Sequence, residues 1–380
     1  MPRASLLPSL VLTSLVPLTG FSQPQAPKPR EAVLAALDSH AYDLAKDGRS
    51  FLIDEARKSN YFLLGELHGD NEIPDLLHAM WPGLWKNGYR YVAAEISPWT
   101  ADRLEAQPDG SAPPVEGLWT RKQADDLHSA AERGAHILWG CDMEEIHPEY
   151  LIRELAGLNP DNASLKQMDA ITKNGYQRSM ASKLLALAKT SRPANDTIVN
   201  DISLSQCLLA TLQIDADRAD PAAKMSAQQA RELLMKTQFL EHFRAHIHAE
   251  RADKVLLRFG RNHLHRGFDA RGISTLGNFV AEFAISRGKS VFNVGAFGAG
   301  GKATLMGETF SMDETQYELT FALLAGEAHH AATVFDLRPL RPLLHAIPQE
   351  KRTPLESNLI YWSDAYDALI CYKNVTPLSD

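Results

Sequence analysis

The stretch "NYFLLGELHGDNEIPDLLHAMW", residues 60–81, changes from a strand pattern to a helix pattern through two ionisable residues. Four apolar residues, 61–64, lead into Glu66 and His68. After Pro74 the apolar residues recur at helical spacing, which predicts an amphipathic helix with proline in its first turn. A buried strand, a short polar turn and a helix in this order are typical of an α/β protein.

Other apolar runs of similar length also end in polar residues. Their near-continuous apolar sequence, with little alternation, predicts strands that are covered on both faces. Helix patterns lie between them, for example over residues 275–287, where Gly288 marks the end. The sequence therefore predicts an α/β fold with a mostly parallel central sheet flanked by helices. The predicted strands lie within residues 61–68, 89–97, 135–144, 254–265, 290–298, 332–337 and 366–375.

The middle of the chain differs, because it carries helix patterns and almost no strand pattern. We predict a helical insertion that separates two parts of an α/β core. The predicted organisation is a linker and N-terminal helix over residues 23–49, a first core part over 50–150, the helical insertion over 151–245 and a second core part over 246–380.

The first 22 residues have the pattern of a secretory signal peptide. Arg3 precedes an apolar run that ends near the small residue Ser22. The run is short and is interrupted by Pro8 and Pro17, so we expect no stable membrane anchor after cleavage. The expected location is secreted or periplasmic.

The composition excludes some functional classes. Of the 380 residues, 44% are hydrophobic and 23% are charged, which is typical of a packed globular protein. The formal net charge of -8 and the lack of a Lys/Arg cluster argue against nucleic-acid binding, so the expected partner is a small-molecule substrate. Cys141, Cys207 and Cys371 have no CxxC spacing, although one disulfide is compatible with an oxidising compartment.

Ionisable residues, and one asparagine, follow four of the predicted strands. In an open α/β sheet, ligands bind beyond the carboxyl ends of the strands, so these residues should meet at one edge. A single Glu or His after a strand is commonly a loop or capping residue, but the repetition predicts a shared site. The residues are Glu66 and His68, then Glu95, then Asp142 and Glu144, and finally Asn262, His263 and His265.

These residue types favour hydrolysis by an activated water. A histidine exchanges protons near neutral pH, and a neighbouring carboxylate can orient its ring. His68, held by Glu66 or Glu95, is predicted to take a proton from water. His263 or His265 would then bind the developing oxyanion or protonate the leaving group. The predicted catalytic residues are His68, Glu66, Glu95 and His263, and the predicted substrate-binding residues are His265, Asn262, Asp142 and Arg258.

The same side chains could instead hold a metal ion. Imidazoles and carboxylates suit Zn²⁺ or Mn²⁺, and the alternative ligand set is Glu66, His68, His263 and His265. We predict no cofactor, and we keep a divalent metal or haem as alternatives. Two other groups of histidines in helix-like sequence are expected to face solvent or neighbouring helices; they are His242, His246 and His248, and His329 and His330.

The motifs, in their order along the chain, resemble the erythromycin esterase-like family. "LLGELHGDNEIPDLLHAM" resembles its Gly-Glu-x-x-His-Gly start with one residue fewer between Glu66 and His68, and "VAAEIS" resembles its second Glu strand. "WGCDME", "FGRNHLHRG" and "YDALICYKNVTPL" resemble its later strands. The shortened first motif also resembles the Gly-Glu-x-His of the ChaN-like haem-binding lipoproteins and of the TraB/TIKI hydrolases.

The resemblance covers about residues 50–150 and 245–378. It implies a general base at His68, accompanying carboxylates at Glu66 and Glu95, and a second histidine site at His263 with His265 beside it. The implied activity is that of an exported hydrolase that cleaves an ester or a related acyl bond without a metal. The alternatives it implies are a ChaN-like haem- or metal-binding protein and a metal-dependent TIKI-like peptidase.

Overall fold

The computed structural model describes residues 29–106, 136–247, 254–305 and 307–378. The predicted signal peptide lies outside these residues. Two short hairpins are formed by β5 (Ile198–Val199) with β6 (Ile202–Ser203), and by β9 (Lys302–Leu305) with β10 (Glu308–Ser311). The eight strands of the central sheet are β1 (Ala41–Asp43), β2 (Tyr61–Glu66), β3 (Tyr89–Ala94), β4 (Leu138–Gly140), β7 (Lys254–Gly260), β8 (Val291–Gly298), β11 (Ala332–Asp336) and β12 (Ala368–Tyr372).

The strand order in this sheet is β1-β11-β12-β8-β2-β7-β3-β4. Pairing is parallel from β12 to β4, whereas β1, β11 and β12 pair antiparallel. The predicted mostly parallel α/β sheet is therefore confirmed, and each of the seven predicted apolar runs contains one of its strands. The parallel order brings the carboxyl ends of β2, β7, β3 and β4 side by side.

Helices surround the sheet. Those of the described residues are α1 (Pro29–Ser39), α2 (Arg49–Lys58), α3 (Glu72–Lys86), α4 (Pro98–Ala106), α5 (Pro148–Leu158), α6 (Ala163–Thr172), α7 (Ala181–Ser191), α8 (Leu204–Ala219), α9 (Lys224–His246), α10 (Arg261–Leu264), α11 (Leu276–Ser286), α12 (Leu319–Glu327), α13 (Leu340–His345) and α14 (Pro354–Ala365). Short 3₁₀ or π segments lie at Leu44–Gly48, Arg178–Met180, Glu314–Gln316 and Gln349–Lys351.

Strand β2 shows why the central strands are continuously apolar. Phe62 and Leu64 join an apolar cluster with residues of α2 and α3. Tyr61 and Leu63 point to the other face, where they pack in a cluster with residues of α9 and α11. Because side chains alternate between the two faces of a strand, a strand covered on both faces needs apolar residues at every position.

The turn after β2 positions the start of helix α3. Gly69 has a φ of 82°, and a Cβ at this position would lie 2.2 Å from the carbonyl oxygen of Thr304. Glycine is therefore required there for both backbone conformation and space. Asp70 Oδ1 then accepts a hydrogen bond from the Ile73 amide at 2.9 Å, which caps the first turn of α3.

Between β4 and β7 the described chain is helical apart from the β5–β6 hairpin. Residues of α5, α6, α7 and α8 share an apolar cluster of their own. The domain boundaries at residues 151 and 245 stay a prediction. The three cysteines are separate, buried thiols. Among the described residues, no helix has the length and apolarity to cross a membrane.

Candidate active site

His68 lies between two carboxylates at the strand-end edge of the sheet. Its Nδ1 is 3.3 Å from Glu66 Oε1, and its Nε2 is 3.7 Å from Glu95 Oε2. Glu66 is the last residue of β2, and Glu95 directly follows β3. The His68 side chain is 29% exposed, whereas those of Glu66 and Glu95 are only 3% and 8% exposed. A partly accessible imidazole thus has a buried anion on each side.

Each carboxylate also binds a partner from the protein interior. Glu66 Oε2 accepts a hydrogen bond from Arg258 Nε, which lies on β7. Glu95 Oε1 accepts a hydrogen bond from Arg231 Nη2 at 2.9 Å. Glu95 Oε2 accepts one from the Gly260 amide at 2.6 Å. These donors orient both carboxylates so that one oxygen of each lies near His68.

Gly260 allows His68 to approach the end of β7. A Cβ at this position would lie 2.6 Å from His68 Nε2 and 3.1 Å from Glu95 Oε2. Any other residue would therefore displace the imidazole. The glycine in the sequence "FGRNH" is required for space at the site rather than for a turn.

His263 supports Glu95 from the other side. Its Nε2 is 3.3 Å from Glu95 Oε1, and its Nδ1 is 2.5 Å from Glu232 Oε1. Burial lowers the pKa of His263, but Glu95 and Glu232 outweigh burial and raise the pKa to about 10. The imidazole is therefore a cation near neutral pH, and it donates to a carboxylate from each nitrogen. Glu232 Oε2 in turn accepts from the Leu276 amide at 2.8 Å.

Neighbouring charges raise the pKa of His68 and lower that of Glu95. Burial lowers the pKa of His68, but the carboxylates of Glu66 and Glu95 outweigh that effect and raise it. Burial raises the pKa of Glu95, but His263, His68 and Arg231 hold it well below the usual range. An imidazole of raised basicity beside a permanent carboxylate can accept a proton from water and be stabilised as an imidazolium.

Arg231 on α9 joins three carboxylates. Besides Glu95, its Nε donates to Asp142 Oδ1 at 3.0 Å, and its Nη2 lies 3.1 Å from Glu145 Oε2. Asp142 follows β4 and is 2% exposed. Its carboxylate is thus turned to Arg231 in the interior. The guanidinium balances the negative charge that collects at the ends of β3 and β4.

The other two predicted site residues, Asn262 and His265, lie apart from His68, and Glu144 after β4 has a separate role. Asn262 is exposed on α10. His265 is buried, and its ring lies 4.4 Å from that of Tyr361, centroid to centroid. Among the described residues, neither ring nitrogen of His265 has a hydrogen-bond partner. Glu144 accepts a 2.6 Å hydrogen bond from Thr100 Oγ1, so it ties α4 to the segment after β4.

The structure therefore brings together six of the eight predicted residues, and it adds two that the sequence did not indicate. Arg231 and Glu232 are adjacent on α9 and are buried, at 9% and 1% exposure. In the sequence they look like ordinary charges on an amphipathic helix. The only available signal was charge balance, because buried carboxylates need cations. The six that meet are Glu66, His68, Glu95, Asp142, Arg258 and His263.

The alternative metal set does not fit this arrangement. The four residues of this set do not lie together, because the His265 ring packs against Tyr361 instead. Glu66 is engaged by Arg258, so a divalent cation there would add to an existing positive charge. Within the described parts of the chain, the only group of three or more close metal-ligating side chains lies elsewhere, at Asp201, His242 and His246.

Comparisons by sequence give no match, either to models of protein families or to curated proteins. Solved structures do match. One is a protein from Bacillus cereus, 15% identical, with a TM-score of 0.62 over 92% of this chain and 99% of that one. A second is a succinoglycan biosynthesis protein, 14% identical, with a TM-score of 0.57 over 91% of this chain and 97% of that one.

A third match is a mutant of the erythromycin esterase EreC in its open conformation. It is 11% identical, with a TM-score of 0.57 over 92% of this chain and 97% of that one. At such identities a likeness of structure shows the fold, and it leaves activity and substrate to be argued from the site. The chain has the erythromycin esterase-like fold that its sequence motifs predicted.

Proposed function

We propose that this protein is an exported hydrolase that cleaves an ester or a related acyl bond in a small molecule, with water activated by His68. The observation that carries the proposal is the position of His68, which is partly exposed between the buried carboxylates of Glu66 and Glu95. A general base needs access to water and a neighbour that stabilises its protonated form, and this arrangement offers both.

The two nitrogens of His68 would have different roles. Nδ1 is buried next to Glu66, so the Nδ1–H tautomer would point at that carboxylate. Nε2 would then accept a proton from water, and the resulting hydroxide-like oxygen would attack the acyl carbon. As the tetrahedral intermediate collapses, the imidazolium would return the proton to the departing alkoxide. The products are a carboxylic acid and an alcohol, so the proton balance closes.

His263 would be a positioning residue rather than an oxyanion donor. Both of its nitrogens face carboxylates, Glu95 and Glu232, so neither is directed to a substrate. Its positive charge would hold Glu95 ionised, and Glu95 would in turn stabilise the His68 imidazolium. Arg231 supports the same state of Glu95 from α9. The base would thus be tuned by a buried set of charges and not by a metal.

Export rests on the sequence pattern of the first 22 residues. In the host cell, N-terminal sequencing of the mature protein should start near Gln23. A mature chain that still begins at the initiator methionine would contradict export without affecting the proposed chemistry.

The decisive experiment compares the wild type with His68→Asn on a panel of esters, lactones and amides. We expect turnover of at least one ester class and a loss of about 10² to 10⁴ in kcat/KM in the variant. His345→Asn is the matched control, since His345 pairs with Asp364 on an exposed surface.

Two further measurements distinguish the proposal from its alternatives. EDTA should leave the rate unchanged, whereas a rate that depends on added Zn²⁺ or Mn²⁺ would favour the TIKI-like alternative. Haem titration of the same sample should give no His68-dependent Soret band; such a band would favour a ChaN-like carrier. The proposal fails if the wild type turns over nothing in the panel, or if His68→Asn is as active as the wild type.

A further inference from the structure

We propose that Asp201, His242 and His246 form a binding site for a divalent transition-metal ion of the zinc type. Asp201 Oδ2 lies 2.8 Å from His242 Nδ1 and 2.6 Å from His246 Nε2. All three ligand atoms fall within 4.8 Å of one another. The site shares no residue with the candidate active site, and it does not depend on the proposed hydrolase activity.

The local sequence builds this cluster on two rigid elements. His242 and His246 are four residues apart on α9, so they lie on the same face of the helix. Asp201 comes from the two-residue turn between β5 and β6, where Asn200 and Asp201 have φ of 47° and 66°. Two successive left-handed residues are what a tight type I′ hairpin turn needs, and Asn and Asp adopt that conformation at low cost.

Asn200 fixes the hairpin turn against the central sheet. Its side-chain oxygen accepts from the Gly140 amide at 2.7 Å, and its side-chain nitrogen donates to the Leu138 carbonyl at 2.8 Å. The carboxylate of the next residue, Asp201, is therefore held opposite α9. The ligands come from a helix and from an anchored turn rather than from a free loop.

The histidine rings are oriented by contacts outside the cluster. His242 Nε2 lies 2.8 Å from the Gly140 carbonyl oxygen, to which it donates, so Nδ1 is the nitrogen that would present its lone pair to an ion bound beside Asp201. This is the arrangement by which a carbonyl oxygen orients a metal-binding imidazole. Both rings also stack on Trp139, with centroid distances of 5.5 Å for His242 and 5.8 Å for His246.

A metal requires only a small adjustment of this geometry. Zinc binds imidazole nitrogen and carboxylate oxygen at about 2.0 to 2.2 Å, so tetrahedral ligand atoms are about 3.3 Å apart. The Asp201 carboxylate oxygen, now 2.8 Å and 2.6 Å from the two histidine nitrogens, would have to move away from both. Its side chain is 28% exposed and that of His246 is 33% exposed, which leaves room for the movement and for a water as fourth ligand.

The ligand chemistry selects the kind of ion. Two imidazoles and one carboxylate suit Zn²⁺, Ni²⁺ or Cu²⁺, whereas Mg²⁺ and Ca²⁺ prefer a full set of oxygen ligands. A bound ion would tie α9 to the β5–β6 hairpin. Because α9 also carries Arg231 and Glu232, the ion would stabilise the helix that supports the candidate active site.

The test is metal binding by the untagged protein, with Zn²⁺ in calorimetry and Co²⁺ in visible absorption. We expect one ion per chain, a d–d absorption band typical of four-coordinate Co²⁺, and a melting temperature that rises with the Zn²⁺ concentration. His246→Asn and Asp201→Asn should each weaken binding by about tenfold or more. Asparagine tolerates the left-handed backbone at residue 201, so that variant should keep the turn.

His345→Asn serves as the matched control, because it removes an exposed histidine from a simple pair with Asp364. It should bind the ion as the wild type does. Melting curves in EDTA check that each variant is folded. The proposal is overturned if the folded wild type binds no stoichiometric Zn²⁺ or Co²⁺, or if His246→Asn and Asp201→Asn bind them as tightly as the wild type. Neither outcome would bear on His68-dependent hydrolysis.

Discussion

Glu232 Oε1 lies 2.5 Å from His263 Nδ1, and this contact joins helix α9 to the short helix α10 that follows strand β7. The contacts continue from His263 to Glu95 and from Glu95 to His68, at 3.3 Å and 3.7 Å. Carboxylates and imidazoles therefore alternate from the interior to the partly exposed His68. Each group stabilises the charged form of its neighbours, so changes at one position should be measurable at the next.

The pH dependence of hydrolysis should report the raised pKa of His68. A general base must be neutral, so kcat/KM should rise with pH and level off above that pKa. Glu66→Gln removes one of the two carboxylates that raise the pKa, so the inflection should move to lower pH. The profile of kcat/KM measured for both proteins checks this. An inflection that stays in place or moves to higher pH would show that Glu66 does not act on the base.

Gly260→Ala should impair the site more than the fold. The new Cβ would lie 2.6 Å from His68 Nε2, so the imidazole must move from its position between the carboxylates. We expect kcat/KM to fall by about ten- to a hundredfold. Gly326→Ala is the matched control, because nothing lies within 4 Å of a Cβ there. That helical substitution should leave activity unchanged and add up to about 1 kcal/mol of stability. Equal activity of the two variants would contradict the close approach.

The stability of the protein should fall at high pH because of His263. Its pKa rises from 6.5 to about 10 on folding, so the protonated form is favoured in the folded state. This contribution is complete below about pH 6.5, and it is lost as the pH rises toward 10. Urea denaturation should show a loss on the order of a few kcal/mol across that range. His263→Gln should flatten this part of the profile; a wild-type curve that is already flat would rule out the shift.

Replacing Arg231 should be among the most destabilising changes in the described chain. Arg231→Met leaves the buried carboxylates of Glu95 and Asp142 without their shared cation, which should cost about 3 to 5 kcal/mol. Adding Asp142→Asn removes one of the stranded charges, so the double variant should recover part of the loss. Denaturant midpoints of the wild type, Arg231→Met, Asp142→Asn and the double variant measure this coupling. Strictly additive effects would mean that the contact contributes little.

The strands and the main site residues were predictable because they follow from local patterns. Apolar runs identified every strand of the parallel part of the sheet, and parallel pairing necessarily brings Glu66, Glu95 and His263 to one edge. The antiparallel strand β1 was not predicted, since three half-buried residues carry no periodicity. The motif order also led to the correct fold, although no sequence comparison gives a match.

The sequence was less informative where the chain changes direction and where two residues in contact are distant along the chain. The sequence predicts that Asn262, His263 and His265 follow the strand within residues 254–265 and meet at one edge, but the chain turns into helix α10 at Arg261. Asn262 and His263 are successive helical residues whose side chains point about 100° apart, and His265 lies in extended backbone just beyond the helix, so the three do not share one surface. Arg231 lies 136 residues from Glu95 in sequence. No local pattern could indicate that long-range pair.

The place of Arg231 and Glu232 on α9 limits how far this protein could be reduced in size. A shortened version that kept the sheet and its own helices but lacked residues 151–245 would lose the guanidinium that Glu95 and Asp142 share. Such a version would have to neutralise those acids by substitution before it could be expected to fold. Efforts to miniaturise the scaffold, or to graft its histidine site onto another sheet, should therefore carry α9 along as part of the design.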